Sequence, residues 1–96
     1  MRTVEIHTCN SVYENGEVVG GYHENHRITY LQNANHVIAT IDSIVKNNLL
    51  HGCNDTVLEE VIVSCNHHGT VEELREHYSN GFVGKVKISI DYIFNL

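Results

Sequence analysis

The run Lys85-Val86-Lys87-Ile88-Ser89-Ile90-Asp91-Tyr92-Ile93-Phe94 decides the fold, because its hydropathy alternates more cleanly than that of any other stretch. Successive side chains of a strand point to opposite faces, so Val86, Ile88, Ile90, Tyr92 and Phe94 share one face while Lys85, Lys87, Ser89 and Asp91 share the other. Such an apolar face must be covered by a second layer. Two helical stretches can supply it. Val37, Ile38, Ile41, Ile44, Val45 and Leu49 recur at three- and four-residue spacing, the stripe of an amphipathic helix, with Asn33 or Asn35 as its N-cap and Gly52 as its stop. Thr70-Val71-Glu72-Glu73 has the spacing of a capping box, which predicts a second helix running to about Ser79 and ended by Asn80-Gly81.

Further strands lie outward from these elements. Val57 to Cys65 is rich in β-branched residues, with Val61, Val63 and Cys65 on one face and Ile62 and Ser64 on the other. Thr3 to Cys9 alternates Val4 and Ile6 against Glu5, His7 and Cys9. Asn15-Gly16 is a strong hairpin signal because both residues tolerate positive φ, and Val12-Tyr13 and Val18-Val19 flank it as arms, the second broken or bulged at Gly20-Gly21. His26 to Leu31 alternates again. The order β-β-β-α-β-α-β predicts an α+β, two-layer sandwich: one mixed or antiparallel sheet of about four to five strands with two helices on one face. The last two strands can run parallel through a crossover or return antiparallel, and the pattern admits both.

A chain of 96 residues is read as one domain over residues 1–96, since a domain of this size buries only about 60–65% of the surface of its unfolded chain. Nothing approaches the roughly 18 consecutive apolar residues of a spanning helix, and Glu5 and His7 interrupt any leader-like apolar start, so a cytoplasmic location is expected. Twelve Asp and Glu against six Lys and Arg give a net charge of −6, spread along the chain. Binding driven by phosphate neutralisation is therefore disfavoured, and a basic protein surface is the partner that such a charge suits. Protonating all eight histidines would carry the net charge from −6 to +2, which makes association sensitive to acid in the range where imidazole titrates.

Cysteine and histidine gather at His7-Thr8-Cys9, His51-Gly52-Cys53 and Cys65-Asn66-His67-His68. No CxxC, HxxxH or HExxH spacing occurs, and strand parity places His7 and Cys9 on the face opposite the one that Cys65 continues, so no metal site and no cofactor are expected. An odd count of three cysteines argues against a disulfide framework. His67-His68-Gly69-Thr70 lies where a strand passes into a helix N-terminus, where amides, a hydroxyl and two imidazoles could meet an anion or nucleotide. No phosphate loop, nucleophile elbow or acid/base dyad accompanies it, and Glu59-Glu60 and Glu72-Glu73 read as solvated surface.

A binding surface is the stronger reading. Tyr13-Glu14-Asn15-Gly16-Glu17 and Tyr22-His23-Glu24-Asn25-His26-Arg27 alternate tyrosines with adaptable polar groups, a composition that brings contact area at small entropic cost. The expected partner-binding set is Tyr13, Glu14, Glu17 and Tyr22 with the acidic helix residues Glu72, Glu73 and Glu76. The sequence is thus read as a small acidic protein-interaction module that inhibits or regulates a protein partner by binding it, with no catalytic residues. The short, proline-free, asparagine-rich composition is that of many small proteins of phages and mobile elements, and on that association the expected target is a basic nucleic-acid-binding host protein, inhibited in the anti-CRISPR or anti-restriction manner. The alternatives are a small phosphodiesterase or nucleotide-binding domain using His67-His68-Gly69-Thr70, and a homo-oligomeric regulator in which the exposed sheet face or the edge of the last strand pairs with a second copy.

Overall fold

The structure, a computed structural model, describes residues 2–29, 33–51 and 56–93, with side chains described for all but 48–51. Its elements are β1 (Val4–Glu14), β2 (Glu17–Ile28), α1 (Ala34–His51), β3 (Thr56–Cys65), α2 (His68–His77), β4 (Phe82–Val83) and β5 (Val86–Tyr92). They form the expected two-layer α+β fold, a mixed five-stranded sheet in the order β2-β1-β3-β5-β4 with both helices on one face. β1 is antiparallel to β2 and β3, whereas β3 and β5 are parallel. The α2 connection is therefore the crossover that a parallel pair requires.

The N-terminal third differs from its sequence reading in one respect. The strand at Thr3–Cys9 and the first hairpin arm are a single strand, β1, and the second arm continues into the run from His26 as β2. The turn itself is as expected, with Asn15 at φ 53° and Gly16 at φ 81°, the two positive values that a type I′ hairpin turn demands. Gly20-Gly21 does not break the arm. Instead Val19 is accommodated as an extra residue between the Tyr13–Val18 and Val12–Gly20 pairs, a bulge that keeps the ladder running to Val4–Ile28. Gly52, Cys53, Tyr30, Leu31 and Phe94, to which the sequence assigned roles or strand ends, lie outside the described residues.

The core follows from periodicity. Val4 and Ile6 of β1, Val61, Val63 and Cys65 of β3, and Val86 and Ile88 of β5 face Ala34, Val37 and Ile41 of α1 and Val71, Leu74 and Tyr78 of α2 in one buried cluster. Asn33 opens α1, its side chain accepting the His36 amide at 3.3 Å. A reciprocal pair ties the ends of β1 and β3 together: Thr3 N–H donates to Asn66 Oδ1 at 2.9 Å and Asn66 N–H donates to the Thr3 carbonyl at 3.4 Å. Tyr78 is buried, its hydroxyl without a hydrogen-bond partner among the described residues, and that burial, aided by Asp42, pushes its pKa up to about 12. Among the described residues no helix is long and apolar enough to cross a membrane.

β2 is the exception to this packing. Apart from Ile28, which leans on the core, its twelve residues stand outside it. A strand of that length spans about 40 Å at roughly 3.3 Å per residue, close to the 44 Å longest dimension of the molecule. What holds β2 is its ladder with β1 on one side; among the described residues no strand pairs with its other edge.

Candidate functional site

The predicted binding residues fall into two separate groups. Glu14 and Glu17 sit opposite one another across the Asn15-Gly16 turn and are exposed, so the hairpin tip holds two like charges in cross-strand contact. Tyr13, behind the tip, donates its hydroxyl to Glu59 Oε1 at 2.8 Å, and this bond to a carboxylate raises its pKa. Tyr22 is exposed on β2, and Val18 and Val19 beside the bulge are more exposed still, at 60% and 58%. Glu72, Glu73 and Glu76 are exposed on α2, which packs over β3, β5 and α1 rather than over the hairpin. Glu73 and Glu76 border an open groove of about 320 Å³ between α2 and the start of α1, with Ala34, Asn35, Ile38 and His77. One continuous acidic face joining hairpin and helix is not what the topology builds.

The His67-His68-Gly69-Thr70 turn is organised as a helix cap. α2 begins three residues before the capping box placed it, and its N-cap is His67, not Thr70. The His67 ring nitrogen Nδ1 accepts the Thr70 amide at 3.2 Å and lies 3.0 Å from the Thr70 hydroxyl, taking the part that a Ser or Asp oxygen ordinarily plays. Thr70 is consequently buried inside the first turn. His68 stacks on Tyr92 with ring centroids 3.7 Å apart, and a Cβ at Gly69 would meet the His67 ring at 3.0 Å. These side chains are engaged with one another and with the fold. Replacing this cap in His67→Ala should lower stability by about 0.5–2 kcal/mol and His67→Asn should recover most of it, as read from melting curves; an alanine variant as stable as the parent contradicts the capping role.

The cysteines part as parity predicted: Cys65 is fully buried on the helix side, and Cys9 is half-buried on the outer face. Burial raises the pKa of both thiols, and at Cys9 the carboxylate of Glu60, its neighbour across the strand, adds to the rise. Neither is set up as a nucleophile, which needs a lowered pKa. The outer face holds a set that spacing did not show. His7 and Cys9 on β1 meet His23 of β2, with their ligand atoms within 4.8 Å of one another. The concealing feature is the bulge. An unbulged two-residue hairpin would pair His23 with Thr8 and turn it to the helix side; the extra Val19 moves it opposite Cys9. The signal that could have found it was Gly20-Gly21, read as a bulge and carried through to the pairing of each later residue.

No family model, curated protein or solved structure matches the chain. What the fold and these sites define is a class: a small acidic α+β domain whose longest strand is left uncovered at the sheet edge.

Proposed function

We propose that the protein works by binding another protein, as a small acidic interaction module that docks through the β1–β2 hairpin. The observation that carries this is β2 itself, a twelve-residue edge strand exposed over nearly its whole length. Unpaired N–H and C=O groups on such an edge are a template for strand addition. Val18, Val19 and Tyr22 supply apolar contact where a partner would lie. The facing carboxylates of Glu14 and Glu17 repel each other at the tip, so a cationic partner surface relieves a repulsion already present in the free protein. Together with the net charge of −6, this favours a basic partner, and a nucleic-acid-binding host protein is the kind whose phosphate-binding surface an acidic inhibitor of the phage or mobile-element type would occupy.

The test is a pull-down followed by titration against the captured partner at low and high salt. Affinity should fall with salt, and Glu14→Lys with Glu17→Lys should weaken it about tenfold, ~1.4 kcal/mol. That pair keeps like charges at the tip, so the hairpin itself changes little. Glu72→Lys with Glu73→Lys, on the separate helix face, should weaken binding less. A complex indifferent both to salt and to reversal at Glu14 and Glu17 contradicts the reading, and a concentration-dependent homodimer closed through β2 would replace it.

A further inference from the structure

We propose that His7, Cys9 and His23 form a binding site for one divalent transition-metal ion of the zinc type on the outer face of the sheet. The three residues come from two strands locked in register: His7 and Cys9 are two apart on β1 and so share a face, and His23 is the direct partner of Cys9 on β2. Among the described residues this is the group of three whose donor atoms converge, all within 4.8 Å.

The distances suit a tetrahedral ion. Zinc–nitrogen bonds of about 2.0–2.1 Å and a zinc–sulfur bond of about 2.3 Å place neighbouring ligand atoms roughly 3.3–3.6 Å apart. His7 Nε2 and His23 Nδ1 already lie 3.1 Å apart, and the two rings are stacked with centroids at 4.9 Å. This pair is thus already near the tetrahedral separation, and the Cys9 sulfur completes a set within 4.8 Å.

A second observation is the partner of His7 on its far side. Its Nδ1 is hydrogen-bonded to Asn25 Oδ1, and Asn25 is the cross-strand neighbour of His7. An amide oxygen can only accept, so Nδ1 carries the proton and the Nε2 lone pair is left facing His23. Ligating histidines are ordinarily oriented in this way by an acceptor on the other ring nitrogen. The donor set then selects the ion. One thiolate and two imidazoles suit zinc or cobalt(II), whereas calcium and magnesium require oxygen ligands. Glu60 is the cross-strand neighbour of Cys9, so a cation held there has a carboxylate close by. The fourth position faces solvent, as His23 is itself exposed. The site does not depend on the docking reading; its consequence for the fold is a cross-link between β1 and the edge strand.

The experiment uses the full chain, untagged and reduced, titrated with Co²⁺ and then Zn²⁺. One equivalent of cobalt should produce a thiolate-to-metal charge-transfer band that zinc removes. Cys9→Ser should abolish that band, His23→Ala should weaken zinc binding by at least about 100-fold, and Asn25→Ala by about 10- to 100-fold. Free zinc at a hundredfold excess over its Kd should raise the melting midpoint by about 10–20 °C in the parent protein and not in His23→Ala. His23 is exposed, so its variant should fold, and circular dichroism of the metal-free variants checks this. A charge-transfer band that survives Cys9→Ser places the ion on another cysteine and overturns the proposal. So does zinc binding of unchanged strength in His23→Ala, or the absence of stoichiometric binding in the parent.

Discussion

Val63→Asp should leave no cooperatively folded protein, while Val57→Asp on the same strand should change stability by about 1 kcal/mol or less. Val63 is fully buried at the centre of the sheet, paired with Ile6 on one side and Ile90 on the other. Its side chain meets the helix layer, where water cannot reach a carboxylate. Taking an ion into such a place costs several kcal/mol even after relaxation, and protonating it instead leaves an unsatisfied acid. Loss of the valine's own burial adds about 1.5–3 kcal/mol. A domain of 96 residues has on the order of 5–14 kcal/mol of net stability to lose. Val57, by contrast, is 42% exposed near the start of β3. Thermal and urea unfolding followed by circular dichroism reads the difference; a cooperative transition in Val63→Asp near that of the parent would mean that the central strand does not face the core.

Gly21→Ala should lower the melting midpoint by about 4–20 °C, the equivalent of ~1–3 kcal/mol, whereas Gly20→Ala should be neutral or slightly stabilising. The two glycines are neighbours, and composition offers no reason to separate them. Geometry does. A Cβ on Gly21 would lie 2.6 Å from the backbone carbonyl oxygen of Asn10 on β1, and nothing stands within 4 Å of one on Gly20. The obstacle is backbone held in a ladder, not the end of a flexible side chain, so the strands must part. Parting them next to the bulge disturbs the pairs that follow, including Cys9 with His23. Amide exchange should therefore quicken along β2 in Gly21→Ala and not in Gly20→Ala. Equal melting points for the two variants would show that the approach at Gly21 is not as close as the ladder implies.

Much of the fold is legible in local sequence. The alternation of Val86, Ile88 and Ile90, the stripe through Val37 and Ile41, and the Asn15-Gly16 turn each report a local period or a local dihedral need, and each appears as read. Capping was less legible. Thr70 to Glu73 fits the spacing of a capping box, yet His67 takes the role, because a ring nitrogen placed by the end of β3 reaches the free amide first. The acidic residues were legible as surface but not as two surfaces, since only the strand order separates the hairpin edge from α2.

Local periodicity, turn chemistry and charge thus determined by themselves the two layers, the inward faces and the acidic exterior, because those properties depend on neighbours within a few residues. Tertiary structure alone decided which strand is left at the edge, that β3 and β5 run parallel, and that His23 stands beside Cys9. The physical reason is the two-residue period of a strand: one extra residue at Val19 reverses the face of every later side chain, and whether a ladder absorbs that residue is settled by pairing between distant segments.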